Sequence, residues 1–296
     1  QGNLVTFALF TYNQERFIRE AVEGALAQDY SPLEIILSDD CSTDRTFDVM
    51  SEMVYSYRGP HQITLIRNEK NLGIGGHVDK VLRMSQGSWV VMAAGDDISL
   101  PTRTRRTMDR ALDTSHQVDC VAVQLARIDE EGQKTGVVVN NASQIGASTL
   151  RGAGLAYSRR VIEEFGELNQ ALQNEDIPLL ARAFLLSSVG LVTEPLVLYL
   201  SHMGNKGERN RSWKHLDNRW IVSKCSNAKR MVVVSKQIET DTLGRDPSRI
   251  PDYATIMFAG RKAAVLLHIL ENGYPKSLSD AITLASHADL LKILVG

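Results

Sequence analysis

The chain has 296 residues, 43% of them apolar and 23% charged, with a formal net charge of −2. That length suits one large domain or a domain with a helical appendage, and the composition is ordinary for a soluble globular protein. Near-neutrality excludes a global pull toward nucleic acid, and the three scattered cysteines (Cys41, Cys120, Cys225) exclude a disulfide framework and zinc-ligand spacing. There is no signal peptide and no long uncharged apolar run, so a cytoplasmic protein, at or near the inner face of the membrane, is expected.

The predicted elements alternate at first. "LVTFALF" reads as a strand, and "QERFIREAVEGALAQ" as an amphipathic helix with Phe17, Ile18, Ala21, Val22 and Ala25 on one face. "LEIILS" is a second strand, and "STDRTFDVMSEMVYSY" a second helix with Ser and Thr available as caps. "ITLIR", "GHVDKVLRMS" and "SWVVMAA" follow as strand, helix and strand. Strands alternating with helices mean crossover connections, a mostly parallel sheet and helices on both faces, an α/β protein. Ligands on such sheets bind beyond the carboxyl ends of the strands, so "TYNQ", "SDDCSTD", "NEKNLGIGG" and "GDD" should converge on one edge.

From about residue 115 the pattern changes. "DCVAVQLARIDEEGQKTGVVV" predicts two strands around a turn, and "SRRVIEEFG" and "NEDIPLLARAFLLSS" predict helices. "VGLVTEPLVLYLSHMGN" predicts short strands ending in a polar loop. Beyond Asn205 the signal is helical: "WKHLDNRWIVSKCSNAKRMVVVSKQIE", "YATIMFAGRKAAVLLHILE" and "LSDAITLASHADLLKILV". Arg261 and Lys262 make a membrane span costly for the middle one. Its expected use is packing against the rest of the chain or a second subunit, a homo-oligomer. A peripheral, interfacial membrane helix is the alternative, and would suit a lipid-linked acceptor. The basic run from Lys206 to Arg230 reads as a solvated face ahead of a binding surface.

The acidic residues carry the chemistry. Asp39 and Asp40 end the second strand; either a planar base or an Asx turn would use such a carboxylate, and for Asp40 both readings stand. Asp44 reads as a helix cap. Asp96 and Asp97, side by side past the fourth strand, repel each other unless a divalent cation joins them. Mg²⁺ or Mn²⁺ takes such oxygen ligands together with substrate phosphates. Glu175 and Asp176 lie at a helix start, where acids are favoured anyway. Arg182 is six residues beyond Asp176, too far for a one-turn pair.

Together these motifs resemble a known family. "FTYNQERFIREAVEGALAQDYSPLEIILSDDCSTDRT" strongly resembles the opening of the GT-A-fold, family 2 glycosyltransferases. "NEKNLGIGGHVDKVLRMSQGSWVVMAAGDD" is similar to their Asn-rich loop, helix, strand and metal motif. "NED" is similar to the pair that carries their catalytic base, and "LYLSHMGN" looks like their Tyr-Arg-x-His-x-x-Asn segment, with Leu200 where Arg is common. The likeness covers roughly residues 4 to 205.

The resemblance implies a catalytic domain at 1–205, split into a nucleotide-binding half (1–114) and an acceptor half (115–205), followed by a helical region at 206–296. Thr11, Tyr12 and Asn13 would wall the nucleotide pocket, Asp40 would accept the uracil N3–H beside Asp39, and Asn68 and Gly73 would join them. Asp96 would face the ribose or donor sugar. Asp97 would bind Mg²⁺ or Mn²⁺, with His202 reaching the metal or the diphosphate. Gly95 stands where many members carry a first acid. Asp176 would be the general base of an inverting transfer, with Glu175 beside it. The implied partners are a nucleotide-sugar donor and a glycan or lipid-linked saccharide acceptor. A nucleotidyltransferase is the competing enzyme, but "FTYNQERF" lacks the glycines of a phosphate loop. A domain that binds nucleotide sugar without catalysis is the non-enzymatic alternative.

Overall fold

The computed structural model describes residues 3–129, 132–140, 150–200 and 218–272. Strands β1 (Val5–Thr11), β2 (Leu33–Asp39), β3 (Gln62–Arg67) and β4 (Trp89–Ala94) are parallel neighbours in the order β3-β2-β1-β4. Helices α1 (Ile18–Leu26), α2 (Thr46–Ser56) and α3 (Gly73–Met84) make the crossovers. Alternation sorts each central strand between two cores: Val5, Phe7, Leu9, Trp89, Val91 and Ala93 face one, and Ala8, Val90 and Met92 the other. The predicted helices on both faces are therefore present, with α1 and α2 on the first core and α3 on the second.

The sheet continues through β8 (Leu155–Ser158), β6 (Cys120–Ile128), β9 (Val189–Leu200) and the two-residue β5 (Ile98–Ser99), with β7 (Lys134–Val139) hairpinned onto β6. Instead of several short strands, β9 is one strand of 12 residues. It absorbs Pro195, which cannot donate to a ladder, by a register shift opposite Gln124. Helix α4 (Arg103–Ala111) was not expected, because its buried face is mostly polar: Arg103, Thr104, Thr107 and Met108. Short α5 (Arg159–Glu163) precedes α6 (Asp176–Leu186).

The helical region is not a free appendage where it is described. Helix α7 (Asn218–Asp241) packs on α6, and α8 (Tyr253–Asn272) packs on α7. Val234, Ile238, Ile250, Ile256 and Met257 join the same core as Leu179, Leu180 and Phe184. Arg182, which has no partner within one turn, reaches Asp241 on α7 at 2.8 and 3.1 Å. No described helix is long and apolar enough to cross a membrane. The sequence-predicted helix "LSDAITLASHADLLKILV" lies outside the described residues.

Candidate active site

The chain runs outward from β1 to β3, then returns to place β4 on β1's other side. That reversal makes a topological switch point at β1 and β4, and open α/β sheets bind ligands beyond the carboxyl ends of their strands at such a point. The ladder itself brings the loops level. Asp40 N–H donates to Thr11 O (3.0 Å), Asn68 N–H to Asp39 O (2.9 Å) and Gly95 N–H to Phe10 O (2.9 Å). The four predicted loops thus begin side by side.

The first two loops are stitched together. Asn13 adopts a left-handed φ of 52°, which Asn tolerates. Its N–H donates to Ser42 Oγ (2.8 Å), and its Oδ1 accepts from Thr43 N–H (2.8 Å). Gln14 N–H donates to Thr46 Oγ1 (2.8 Å), and Asp44 caps Thr46 N–H (3.0 Å) and accepts from Glu15 N–H (3.1 Å). Thr11 is buried and donates to Gln14 Oε1 (2.8 Å), while Tyr12 stands out of the loop, 45% exposed.

Asp39 and Asp40 are both buried but differ in use. Asp39 closes its own turn, accepting from Ser42 N–H (3.0 Å) and the Ser42 hydroxyl, with Arg67 at 3.7 Å. Asp40 holds the third loop: its Oδ1 accepts from Asn68 Nδ2 and Leu72 N–H (both 2.9 Å), and its Oδ2 from Gly73 N–H (3.0 Å). Lys80 Nζ secures Asn68 from behind (2.7 Å). Gly73 takes a φ of +70°, natural for glycine. A carboxylate offers about four lone-pair sites, and three donors occupy those of Asp40. His77, absent from the sequence-predicted set, lies buried behind this loop with Nε2 2.7 Å from Ser38 Oγ. Burial pulls its pKa down against the pull of Asp40 and Asp39.

At the end of β4, Gly95 is required by packing. A Cβ there would lie 2.6 Å from Gln14 Oε1 and 2.8 Å from Thr11 Oγ1. Asp97 is 5% exposed and Asp96 more so. Asp97 Oδ1 accepts from Leu200 N–H at the end of β9 (3.0 Å). Beneath it the fully buried Arg103 donates to Ser99 Oγ (2.8 Å) and Met92 O (2.6 Å). Burial, reinforced by Asp96, pushes the Asp97 carboxyl well above its usual range, against the Leu200 N–H and Arg103. Two oxygen-bearing acids held this close fit a hard divalent cation, which would relieve the same repulsion. Among the described residues no group of three or more His, Cys, Asp and Glu side chains could hold a metal ion. His202, the other expected ligand, lies outside the described residues.

Glu175 and Asp176 open α6. The single 3₁₀ turn at Gly152–Gly154 packs between β4 and Asp176, and a Cβ on Gly152 would sit 2.1 Å from Asp176 Oδ1. Burial raises the Asp176 pKa, while hydrogen bonds from Glu175 and the Gly152 backbone and the charge of Arg151 act to lower it. Tyr199, on β9, lies near Asp97 and Asp96. Burial raises its pKa to about 12; Asp97 and Asp96 add to this, and Arg151 and Arg127 oppose it. The fold therefore gathers Thr11, Tyr12, Asp40, Asn68, Gly73, Asp96 and Asp97 at the carboxyl edge of the parallel strands, and the Gly152 turn packs between β4 and Asp176.

This architecture is a GT-A-type α/β fold. The model of the family described as "Glycosyl transferase family 2" matches residues 6–160, more than half of the chain, and the protein belongs to that family. It is 26% identical over 192 residues to EpsE of Bacillus subtilis, covering 62% of this chain and 67% of EpsE. Other curated relatives match over between 25% and 52% of their own length. Staphylococcus aureus TarS (residues 1–349), solved with UDP-GlcNAc, shares its fold with a TM-score of 0.60 at 16% identity, over 96% of this chain and 79% of that one. The mannosyltransferase PcManGT of Pyrobaculum calidifontis, solved with GDP-Man and Mn²⁺, gives 0.58 at 17% identity, over 97% and 80%.

Proposed function

We propose that the chain transfers a sugar, with inversion, from a uridine diphosphate sugar to a hydroxyl of a glycan or lipid-linked saccharide. The observation that supports this reading is the Gly152 turn, which packs on β4, the strand leading to Asp96 and Asp97, and against Asp176, a partly buried carboxylate whose pKa burial raises. Exposed Tyr12 offers a face on which a base stacks. Asp40, already fixing the 68–73 loop, takes the base N–H on its remaining acceptor site. Asn13 and Asp39 act by holding these loops in place.

Asp97, with His202, would hold Mg²⁺ or Mn²⁺, and Asp96 would face the ribose or donor sugar. That ion supplies charge neutralisation for the departing diphosphate. Asp176 accepts the acceptor hydroxyl's proton as its oxygen closes on the anomeric carbon. A modestly raised carboxylate pKa suits this, because the hydroxyl becomes acidic only as the new bond forms. Glu175 orients Asp176 through their shared hydrogen bond. Base and leaving group on opposite faces of the sugar give inversion. The test is a panel of nucleotide sugars read by product mass with wild type and Asp176→Asn. Transfer by wild type alone, with UDP bound equally by both, supports the reading; equal transfer by both sinks it.

A further inference from the structure

Between α5 and α6 the chain crosses residues 164–175 without helix or strand. Such a stretch has no ladder of its own, so its backbone groups must be met by other elements or by water. Helix α3 supplies two partners: Asp79 Oδ1 accepts from Leu168 N–H (2.8 Å), and Gly75 N–H donates to Leu172 O (3.0 Å). Helix α7 supplies a third, Gln237 Oε1, which accepts from Asn169 N–H (2.8 Å). Leu168 and Leu172 are buried in the core, whereas Glu167, Asn169, Gln170 and Ala171 are exposed, so these contacts set the path of the stretch. The approach of α3 is close. A Cβ on Gly75 would lie 2.4 Å from Asn169 O and 2.9 Å from Leu172 Cβ. Two residues before Gly75, Gly73 N–H is held by Asp40 (3.0 Å). The first turn of α3 therefore grips the 68–73 loop through Gly73. Through Gly75 it grips the stretch that runs on from Leu172 into Asp176.

We propose that Gly75 and Asp79 are positioning residues for Asp176, through which α3 sets the base in register with a donor held on the 68–73 loop. This deepens the reading above and rests on Asp176 being the base. Neither residue touches a reacting group; each acts through the backbone of residues 168–172. Such an action matters because misplacing a reacting group by about 1 Å costs about 100-fold in rate. Asp79 also pairs with Arg83 on its own helix (2.9 Å), so its two contacts have to be told apart.

The test compares the full chain as wild type, Gly75→Ala, Asp79→Ala and Asp79→Asn. Turnover on a UDP-sugar, UDP affinity by calorimetry in Mn²⁺, and backbone hydrogen exchange across residues 164–176 are read for each. Gly75→Ala and Asp79→Ala should lose about tenfold or more in kcat, keep wild-type UDP affinity, and exchange the 168–172 amides faster than wild type. Asp79→Asn loses the Arg83 ion pair just as Asp79→Ala does, but keeps an oxygen for Leu168 N–H. It should therefore recover both kcat and protection. Wild-type kcat in Asp79→Ala or in Gly75→Ala overturns the proposal. So does an equal loss in Asp79→Asn and Asp79→Ala, which would trace the effect to the Arg83 pair. A loss of UDP affinity that parallels the loss of kcat also overturns it, by confining the role of α3 to the donor. Wild-type transfer by Asp176→Asn would refute the base assignment instead; faster exchange at 168–172 in Asp79→Ala than in Asp79→Asn would then still show the hold of α3 on this stretch.

Discussion

The buried pair between Arg182 and Asp241 joins the catalytic core to α7, and removing one half of it has a calculable consequence. The two residues are 2% and 4% exposed. Their contact is bidentate, at 2.8 and 3.1 Å; Arg182 also donates to Gly166 O (2.9 Å), and Gln237 Nε2 donates to Asp241 Oδ1 (3.0 Å). Asp241→Ala leaves the guanidinium buried with no carboxylate facing it and Gly166 O as an acceptor, a loss of about 3–5 kcal/mol. The orphaned Gln237 amide adds about 1 kcal/mol. For a chain of this size each kcal/mol moves the melting temperature by about 2 °C, so a fall of about 8–12 °C is expected. Replacing both partners together, as Arg182→Met with Asp241→Leu, should recover to within about 1–2 kcal/mol of wild type, because no charge is then left buried. Circular dichroism melts and urea titrations measure both. A loss below about 1 kcal/mol in Asp241→Ala would refute the reasoning. So would a wild-type melt in which the helical signal is lost in a separate step, since that would uncouple α7 from the sheet.

Five further outcomes follow from the site. Gly152→Ala should lower turnover about 100-fold while leaving UDP affinity near wild type, since the new methyl would displace Asp176 Oδ1 from its seat; steady-state kinetics with a UDP-sugar checks it. Gly95→Ala should weaken UDP binding by calorimetry, because its methyl would push on Thr11 and Gln14 and shift the loop carrying Tyr12. Tyr12→Ala should cost about 1–3 kcal/mol of UDP affinity if the base stacks there. In a pH profile the base must be ionised, and burial raises the Asp176 pKa. Turnover should therefore fall on acidification at a higher pH than an ordinary carboxylate would give. Arg151 favours the charged form, so Arg151→Gln should move that acidic limb to still higher pH.

Much of this architecture was legible in the sequence because it is written in local periodicity. The short apolar runs of β1 and β4 and the apolar stripe of α1 need no distant partner to be seen. Helix α4 was invisible because it buries polar side chains, and the groups of Arg103 and Thr104 are met only by distant parts of the chain: Gln28 Oε1 accepts from Thr104, and Met92 O from Arg103. The acidic motifs announced a site but not their division of labour. Nothing local distinguishes Asp39, which closes its own turn, from Asp40, whose donors are 28 to 33 residues away. The partner of Arg182 lies 59 residues on, in a region that carried no motif. Gly95 and Gly152 show the same limit: each is glycine because of a side chain from another element, Thr11 and Asp176 respectively.

The most direct test is a nucleotide-sugar turnover assay on purified wild type and Asp176→Asn, with UDP affinity measured in parallel in Mn²⁺. We predict that the variant binds UDP as wild type does and loses transfer by about a thousandfold or more, the scale of a positioned general base. Transfer at the wild-type rate by Asp176→Asn would contradict the proposed chemistry.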